Sequence, residues 1–206
     1  LLMRLVADYA YIHDVVASGD LGRPLVAYAS RLSSGYRSSE RPSHYGEPVV
    51  ELMTFDFDYL NWLFGMPVAV SGTGVMGATG VAEHAFVSLE FDGVKGLVEG
   101  GAIMPRSFPF STSLRVVCEE GALESHFRIG PEGPESVLTR YPKTGSPEIL
   151  DIGLDPYEAE CRYFFDCVQG VADPALLSAE AARDALRVAL AARESLERGG
   201  ERVILG

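Results

Sequence analysis

The spacing of apolar residues changes twice along the chain, and this feature constrains the fold more than any other. Up to Gly65, apolar residues recur at the helical period, as at Leu5, Tyr9 and Ile12. From Val68 onward the period becomes two, which is typical of half-buried strands, and toward the C-terminus it returns to the helical value. The pattern predicts an α+β fold with a predominantly antiparallel, open-faced sheet and helices packed on one face. We expect residues 1–206 to form a single domain of this kind.

About six strands are expected in this sheet. The segment RPLVAYASRL predicts the first strand, and the segments on either side of Asp92-Gly93 predict a hairpin with a tight turn. A second hairpin is predicted around Glu120-Gly121. VLTRYP indicates a weaker strand, ERVIL indicates an edge strand, and PKTGSPEILDIG is expected to be a loop.

Several helices have boundaries that can be placed from the sequence. Pro48 suits a first helical turn, where its missing N–H needs no partner, and apolar spacing continues that helix from Val49 to Phe64. Asp155-Pro156 is a good start signal for a second helix. The last helix is predicted from about Ser178 to Arg198. The apolar stripe of the helix that starts at Asp155-Pro156 consists of Tyr157, Cys161, Phe164, Phe165 and Val168.

The composition excludes several classes of partner. The formal net charge is −12, whereas binding to a phosphate backbone depends on clustered Lys and Arg, so nucleic acid and anionic membrane are poor partners. No apolar run approaches the ~20 residues that span a bilayer, and no basic segment with a cleavage site opens the chain. We therefore expect a soluble, cytoplasmic protein.

No metal site is expected. The three cysteines lack the paired spacing of a zinc site and are expected to be small, buried apolar residues in a reducing compartment. The histidines without spaced ligand partners are His13, His84 and His126.

The motif GTGVMG, Gly72–Gly77, matches the glycine pattern with which many folds hold the pyrophosphate of a dinucleotide. Such a site needs a helix directly after the glycines, because the N–H groups of the helix N-terminus hold the phosphates. Here alternating strand sequence follows instead. The glycines are therefore expected to relax a twisted or bulged strand where backbones approach closely, and no cofactor site is expected in this chain.

The segment GEPVVELMTFDFDYLNWLFGMPV, Gly46 to Val68, resembles the signature helix of the Gfo/Idh/MocA family of NAD(P)-dependent oxidoreductases. That family typically shows Asp-x-x-x-His-Asp-x-Asp followed by an apolar tail with a Trp-Leu-x-Gly-x-Pro-like end. ASGDLGRPLVAYASR, VVCEEGALE and DPYEAECRYFFDCVQG resemble further segments of its C-terminal domain, in the order that the family has. The resemblance covers nearly all of the chain. It implies hydride transfer between a nicotinamide and a sugar or cyclitol carbon.

The chain departs from the family pattern in two places. The N-terminal Rossmann domain, with its Glu-Lys-Pro lysine motif, has no counterpart here, and the ERP at Glu40 to Pro42 is a chance match in a loop. The position of the catalytic histidine holds Phe55, which cannot accept or donate a proton. Glu51 matches the upstream Asp and lies four residues earlier, on the same face of the predicted helix. The chain alone is therefore expected to be inactive, and NAD or NADP is expected only in a full-length parent.

The resemblance places a substrate pocket between a polar loop and the helix that holds Glu51 and Phe55. Its candidate residues provide an aromatic wall with carboxylate, guanidinium and phenol groups, which suits a small polyhydroxylated ligand. Glu51 is either the base of an intact parent or a solvated, salt-bridged residue, and His44 either reaches the pocket or faces solvent. The candidate substrate-binding residues are Arg37, Arg41, His44, Tyr45, Glu51 and Phe55.

Three further residues near this segment are matched to the family. Asp56 and Asp58 match acids that orient the helix, and Arg4 is a possible additional ligand contact.

One face of the predicted meander is too apolar to be fully wetted and too mixed to be a deep core. In the resembling family the open sheet packs against another subunit, so we expect a homodimer formed through this face. The residues that define the face are Phe86, Ser88, Leu97 and Val117.

Two functions remain open at this point. The chain is either the substrate-binding and oligomerisation domain of an oxidoreductase that acts on a sugar, cyclitol or similar polyol, or a stand-alone, non-catalytic binding or dimerisation protein. The start at Leu1 rather than methionine favours the first, and Phe55 at the histidine position favours the second.

Overall fold

The computed structural model describes residues 1–34, 46–153 and 156–206, which form helices on one face of a single sheet. The α-helices are α1 (Ala7–Ser18), α2 (Pro48–Glu51), α3 (Thr54–Phe64), α4 (Pro156–Val168) and α5 (Ala179–Glu197). Short 3-10 turns lie at Leu2–Leu5, called the N-terminal turn below, and at Pro174–Leu177. The strands are β1 (Pro24–Leu32), β2 (Ala69–Met76), β3 (Ala82–Glu90), β4 (Lys95–Gly101), β5 (Ser111–Cys118), β6 (Gly121–Gly130), β7 (Gly133–Pro142), β8 (Glu148–Leu150) and β9 (Val203–Ile204).

The described strands lie in the order β8-β7-β6-β5-β1-β4-β3-β2-β9. Neighbouring strands are antiparallel except β1 and β4, which run parallel with Tyr28 opposite Leu97. The α+β class and the mostly antiparallel sheet are therefore confirmed, but the sheet is mixed and has nine strands rather than about six. The first strand lies in the middle of this sheet, between β4 and β5.

The differences from the predicted sheet have local causes. Strand β8 has three residues and lies within the segment that was expected to be a loop. That expectation came from the turn-forming residues beside it, Ser146-Pro147 and Gly153. Strand β7 is longer than VLTRYP because it begins at Gly133-Pro134, which reads as a turn in the sequence. The parallel pair was missed because periodicity gives the faces of a strand but not its neighbours.

Four helices cover the inner face of the sheet. Helix α1 contacts β6, α2 contacts β3 and β4, α3 contacts β1 and β4, and α5 contacts β2 and β3. Strand side chains alternate between this buried face and an exposed outer face, where Phe86 and Leu97 lie. The inner-face strand residues that are almost fully buried include Ala27, Ala29, Val87, Val98, Leu114 and Val116.

The helix predicted over Val49 to Phe64 is two helices that meet at an elbow, Leu52-Met53. Both elbow N–H groups donate to the carbonyl of Pro48, at 2.9 and 3.0 Å, and the N–H of Phe55 then donates to Leu52 at 3.4 Å. These bonds shift the helical ladder by one residue. The prediction of an unbroken helix was therefore wrong, and with it the basis for placing Glu51 and Phe55 on one continuous helical face.

The glycines of Gly72–Gly77 lie in strand β2 and in the turn that follows it, and β2 continues through an antiparallel hairpin into β3. The N–H of Gly72 donates to Ser195 Oγ at 2.9 Å, and Gly74 is so close to the backbone of His84 that a Cβ would overlap its carbonyl. The register shifts between Val75 and Met76, as in a β-bulge. The prediction of an irregular strand with closely approaching backbones is confirmed.

We predict that Gly74→Ala destabilises the chain by about 1–3 kcal/mol, because the new methyl group meets backbone atoms of β3 that cannot rotate away. The control is Gly130→Ala, whose Cβ would meet the flexible end of Glu135 at 3.2 Å and the carbonyl oxygen of Gly133 at 3.7 Å, an ordinary contact distance. Urea unfolding measures both variants. Equal midpoints for Gly74→Ala and the unsubstituted chain would contradict the prediction.

Candidate functional site

The candidate site lies where the two parallel strands end beside the α2–α3 elbow. Arg31 of β1 is opposite Gly100 of β4, and the side chain of Met53 fills the space that a Cβ of Gly100 would occupy. Beyond the strands, the N–H of Ser33 donates to the carbonyl of Gly101 at 3.0 Å. The glycine in β4 thus lets the elbow approach the centre of the sheet.

A buried ion pair joins the end of β1 to α3. Arg31 Nε and Nη2 each donate to a carboxylate oxygen of Asp56, both at 3.0 Å, and both side chains are almost completely buried. The Arg31 guanidinium also lies 5.2 Å from the centre of the Phe55 ring. Burial raises the pKa of Asp56, and the nearby Arg31 offsets only part of that shift.

Glu51 and Phe55 differ in exposure and belong to different helices. Glu51 is exposed and ends α2, and its carboxylate lies close to Gly46, where a Cβ would be 2.6 Å from Oε1. Phe55 is half-buried near the start of α3 and packs against the hydrophobic core. This region therefore presents the Phe55 ring, which lies against the Arg31 guanidinium, and the Glu51 carboxylate lies on the other side of the elbow.

Four of the predicted ligand contacts belong to the polar segment that connects β1 to α2. Arg37, Arg41, His44 and Tyr45 lie outside the described residues, so their roles remain predictions.

A second buried ion pair fixes the other part of α3. Arg4 donates from Nε and Nη2 to the two carboxylate oxygens of Asp58, at 3.0 and 2.8 Å. Its Nη1 donates to the carbonyl of Leu176 at 3.1 Å, and the guanidinium lies 5.5 Å from the centre of the Trp62 ring. Arg4 therefore holds α3 against the N-terminal turn, and its donors are used within the domain rather than presented to a ligand.

A polar cluster on the outer face was missed in the sequence. Tyr28 donates to one carboxylate oxygen of Glu99 at 2.6 Å, and His84 Nε2 lies 3.0 Å from the other. Burial raises the pKa of Tyr28, and the hydrogen bond to Glu99 adds to the shift. Each residue occupies an outward position in its strand, but only the parallel pairing of β1 with β4 brings Tyr28 near Glu99.

Two of the cavities lie on opposite sides of the sheet. One of about 250 Å³ lies between the end of α5 and the β2–β3 turn and is lined by Glu47, Arg193, Leu196 and residues 79–82, among others. One of about 430 Å³ lies on the outer face and is lined mainly by Ser111, Ser113, His126, Arg128, Glu135 and Val137.

Among residues 1–34, 46–153 and 156–206, no three His, Cys, Asp or Glu side chains come together as a metal site would require. None of the helices in the same ranges combines the length and hydropathy that crossing a bilayer requires.

Comparison with known proteins gives one family match and many structural matches. Residues 9–124 match the family model described as the GFO/IDH/MocA C-terminal domain. The chain is 26% identical over 212 aligned positions to scyllo-inositol 2-dehydrogenase (NAD(+)) of Bacillus subtilis strain 168, an alignment that covers 96% of this chain and 59% of that protein.

Solved structures share the fold at low sequence identity. An aldose-aldose oxidoreductase from Caulobacter crescentus, complexed with glycerol, has a TM-score of 0.79 at 15% identity, covering 100% of this chain and 62% of its own. An inositol dehydrogenase homologue from Azotobacter vinelandii, complexed with NADH and myo-inositol, has a TM-score of 0.74 at 15% identity, covering 99% and 63%. The chain thus spans about three fifths of the length of these relatives.

We predict that removing one partner of the Arg31–Asp56 pair destabilises the chain strongly, because it leaves a buried charge uncompensated. Arg31→Met should lower the free energy of unfolding by about 3–5 kcal/mol, and adding Asp56→Leu should restore part of it. The control is Arg23→Ala, which breaks the exposed pair with Glu119 and should leave the unfolding midpoint nearly unchanged. Urea unfolding measures the unsubstituted chain, Arg31→Met, the double variant and Arg23→Ala. A double variant less stable than Arg31→Met would contradict the prediction.

Proposed function

The chain belongs to the GFO/IDH/MocA family, in which it matches the C-terminal domain, and from this we propose that it is the substrate-binding and oligomerisation domain of an NAD(P)-dependent oxidoreductase. The proposed substrate is a sugar, cyclitol or similar polyol. The observation that carries the proposal is that the matched residues 9–124 include the end of β1, the elbow and all of α3, where the candidate site lies.

The substrate class is supported by what related proteins bind. One relative is a scyllo-inositol dehydrogenase, and one structural relative is complexed with myo-inositol and NADH. These ligands carry many hydroxyl groups, which a site with an exposed carboxylate beside an aromatic ring can contact through both hydrogen bonds and ring stacking. Glu51 and Phe55 provide these two groups at the elbow.

The glycines of GTGVMG lack the geometry of a dinucleotide site. Within GTGVMG, the N–H of Gly72 donates to Ser195 and the N–H of Gly77 donates to the carbonyl of Val81, so neither is available to a phosphate. The chain continues from these glycines into strand β3, which offers no helix N-terminus. In this proposal a cofactor is held by a part of the protein beyond these residues.

The chain's own contribution to the reaction is to bind and orient the substrate. Because Phe55 cannot exchange a proton, the proton of a substrate hydroxyl needs another acceptor. We assign this role to Glu51, which is exposed at the end of α2. The Arg31–Asp56 pair fixes the Phe55 ring, and therefore the wall against which the substrate lies.

A second candidate is a stand-alone, non-catalytic ligand-binding or dimerisation protein. The aromatic residue at the histidine position favours it, because a binding protein needs the pocket but not the proton transfer. The two candidates differ in whether the complete gene product binds a nicotinamide cofactor.

We expect the 206-residue chain not to bind NADH or NADPH at micromolar concentrations, and the product of the complete reading frame to bind one of them. In that product Glu51→Ala should lower kcat with the polyol substrate by about 10²-fold, the usual effect of losing a positioned base. Phe55→His should not abolish activity. Glu132→Ala, in an exposed turn, is the control. Unchanged kinetics for Glu51→Ala would remove that residue from the reaction.

The homodimer is proposed to form through the outer face of the sheet. Phe86 is 43% exposed and Leu97 is 37% exposed, and they lie on adjacent strands of that face. Burying a fully exposed apolar side chain of this size contributes about 1.5–3 kcal/mol, and these two side chains, already more than half buried, would contribute a corresponding fraction in each protomer. The polar cluster of Tyr28, Glu99 and His84 lies in the same face and would become buried with them.

We predict a dimer at micromolar concentrations, with Phe86→Glu and Leu97→Glu together weakening association by at least about 10²-fold. Light scattering after size-exclusion chromatography gives the mass. The matched control is Ile149→Glu, which changes an exposed apolar residue of the short strand β8. A monomeric unsubstituted chain, or a variant pair that remains dimeric, would contradict the proposed interface.

A further inference from the structure

Helix α4 turns its most apolar side away from the domain. Phe164 is 62% exposed, Phe165 is 60% exposed and Val168 is 69% exposed. Together with Tyr157 and Cys161 they form the stripe that the sequence predicted, here called the outer stripe. The predicted helix and stripe are confirmed, but none of the residues of α4 is buried. The prediction that all three cysteines are buried was therefore wrong: Cys161 is exposed and Cys167 is half-buried, and only Cys118 is buried.

The opposite side of α4 packs against the rest of the chain. Its half-buried residues, which recur at helical spacing, are Ala159, Tyr163, Asp166 and Cys167. The Tyr163 hydroxyl donates to the carbonyl of Asp173, and the helix contacts the N-terminal turn. Because the half-buried and exposed sets lie on nearly opposite sides of a 3.6-residue helix, a small rotation cannot bury both. The outer stripe therefore stays exposed on the described part of the chain and is available to a second body.

The size of the stripe shows that this body is more than a chance neighbour. Several large apolar side chains at helical spacing form one contiguous patch, whereas exposed apolar residues on monomers are usually scattered. Covering them would remove their exposed apolar surface from water, which favours association. Val171, just after the helix, is 75% exposed and extends the patch.

A second copy of the helix is a poor occupant. On its exposed side helix α4 carries two acidic residues, Glu158 and Glu160, against one basic residue, Arg162, so each copy has an excess negative charge there. Two copies packed stripe to stripe would bring these excess negative charges together in a partly dry interface, where repulsion is strengthened. The other candidate occupant is the part of the related proteins that this chain does not cover, about two fifths of their length.

The position of the N-terminal turn indicates where that additional part would lie. The matched family model describes a C-terminal domain, so in these proteins the additional part precedes it. A segment that precedes Leu1 would enter through the N-terminal turn, which contacts α4 directly. Arg4 anchors that turn to α3 and to the 3-10 turn at Pro174–Leu177, which also fixes the entry point.

We propose that the outer stripe of α4 is the surface on which an apolar patch of the N-terminal, cofactor-binding domain docks. This inference rests on the proposed function, since it requires such a domain. In it, α4 is a shared helix: its half-buried side belongs to the sheet domain and its outer stripe belongs to the interface. The same contact would fix the cofactor-binding domain relative to the elbow through α4, the N-terminal turn and α3.

The test compares hydroxyl-radical labelling of the 206-residue chain with that of the product of the complete reading frame. Labelling of Phe164 and Phe165 should fall by about fivefold or more in the longer protein, because interface-core side chains become as buried as those of a protein interior. Ile149, exposed on β8, is the internal control and should be labelled equally in both proteins. The paired variant Phe164→Ser and Phe165→Ser should leave the melting temperature of the 206-residue chain unchanged but accelerate proteolysis between the two parts of the longer protein.

The outcomes separate this inference from the proposed function. If the longer protein binds NADH but labels Phe164 and Phe165 as fast as the 206-residue chain does, the docking surface is wrong while the function stands. If the 206-residue chain already protects both residues in a concentration-dependent way, the occupant is a second copy, and the inference is overturned. If the complete reading frame adds no cofactor-binding domain, both proposals fail.

Discussion

The pairing of Arg31 with Asp56 is the interaction on which the arrangement of this domain depends. It joins the end of the central strand to the first turn of α3, across the boundary between sheet and helices. A buried guanidinium and carboxylate are tolerated only as a pair, so the two elements are fixed in one relative position. That position places the elbow over Gly100 and the Phe55 ring against Arg31.

A second buried ion pair, between Arg4 and Asp58, anchors α3 two residues further along. Asp56 pairs with Arg31 of the strand and Asp58 pairs with Arg4, so two acids on either side of Phe57 anchor one helix to two different parts of the chain. This is the orienting role that the family resemblance assigned to both acids. The frame around the candidate site is therefore held by these two ion pairs.

Much of the fold could be predicted from the sequence, because period and turn residues are local signals. The hairpins at Asp92-Gly93 and Glu120-Gly121, the helix beginning at Pro156 and the edge strand near Val203 were all placed correctly. The elbow was not, because it depends on Met53 finding space over a glycine of β4, a contact between distant parts of the chain. The cluster of Tyr28, Glu99 and His84 was missed for the same reason. Of the candidate site, residue types were accessible from sequence, whereas their mutual geometry was not.

The central place of β1 has a consequence for how the chain reaches its final structure. Strands β2 to β4 form one meander and β5 to β8 form another, and each can assemble from contacts that are close in sequence. The two meanders do not touch through their own neighbouring strands, β4 and β5, because β1 lies between them. Joining them requires the closure of a loop of about 70 residues between β1 and β4, which is slow compared with hairpin formation. Strand β1 comes first in the sequence, yet its pairing with β4 and β5 is the long-range step that joins the two meanders into one sheet.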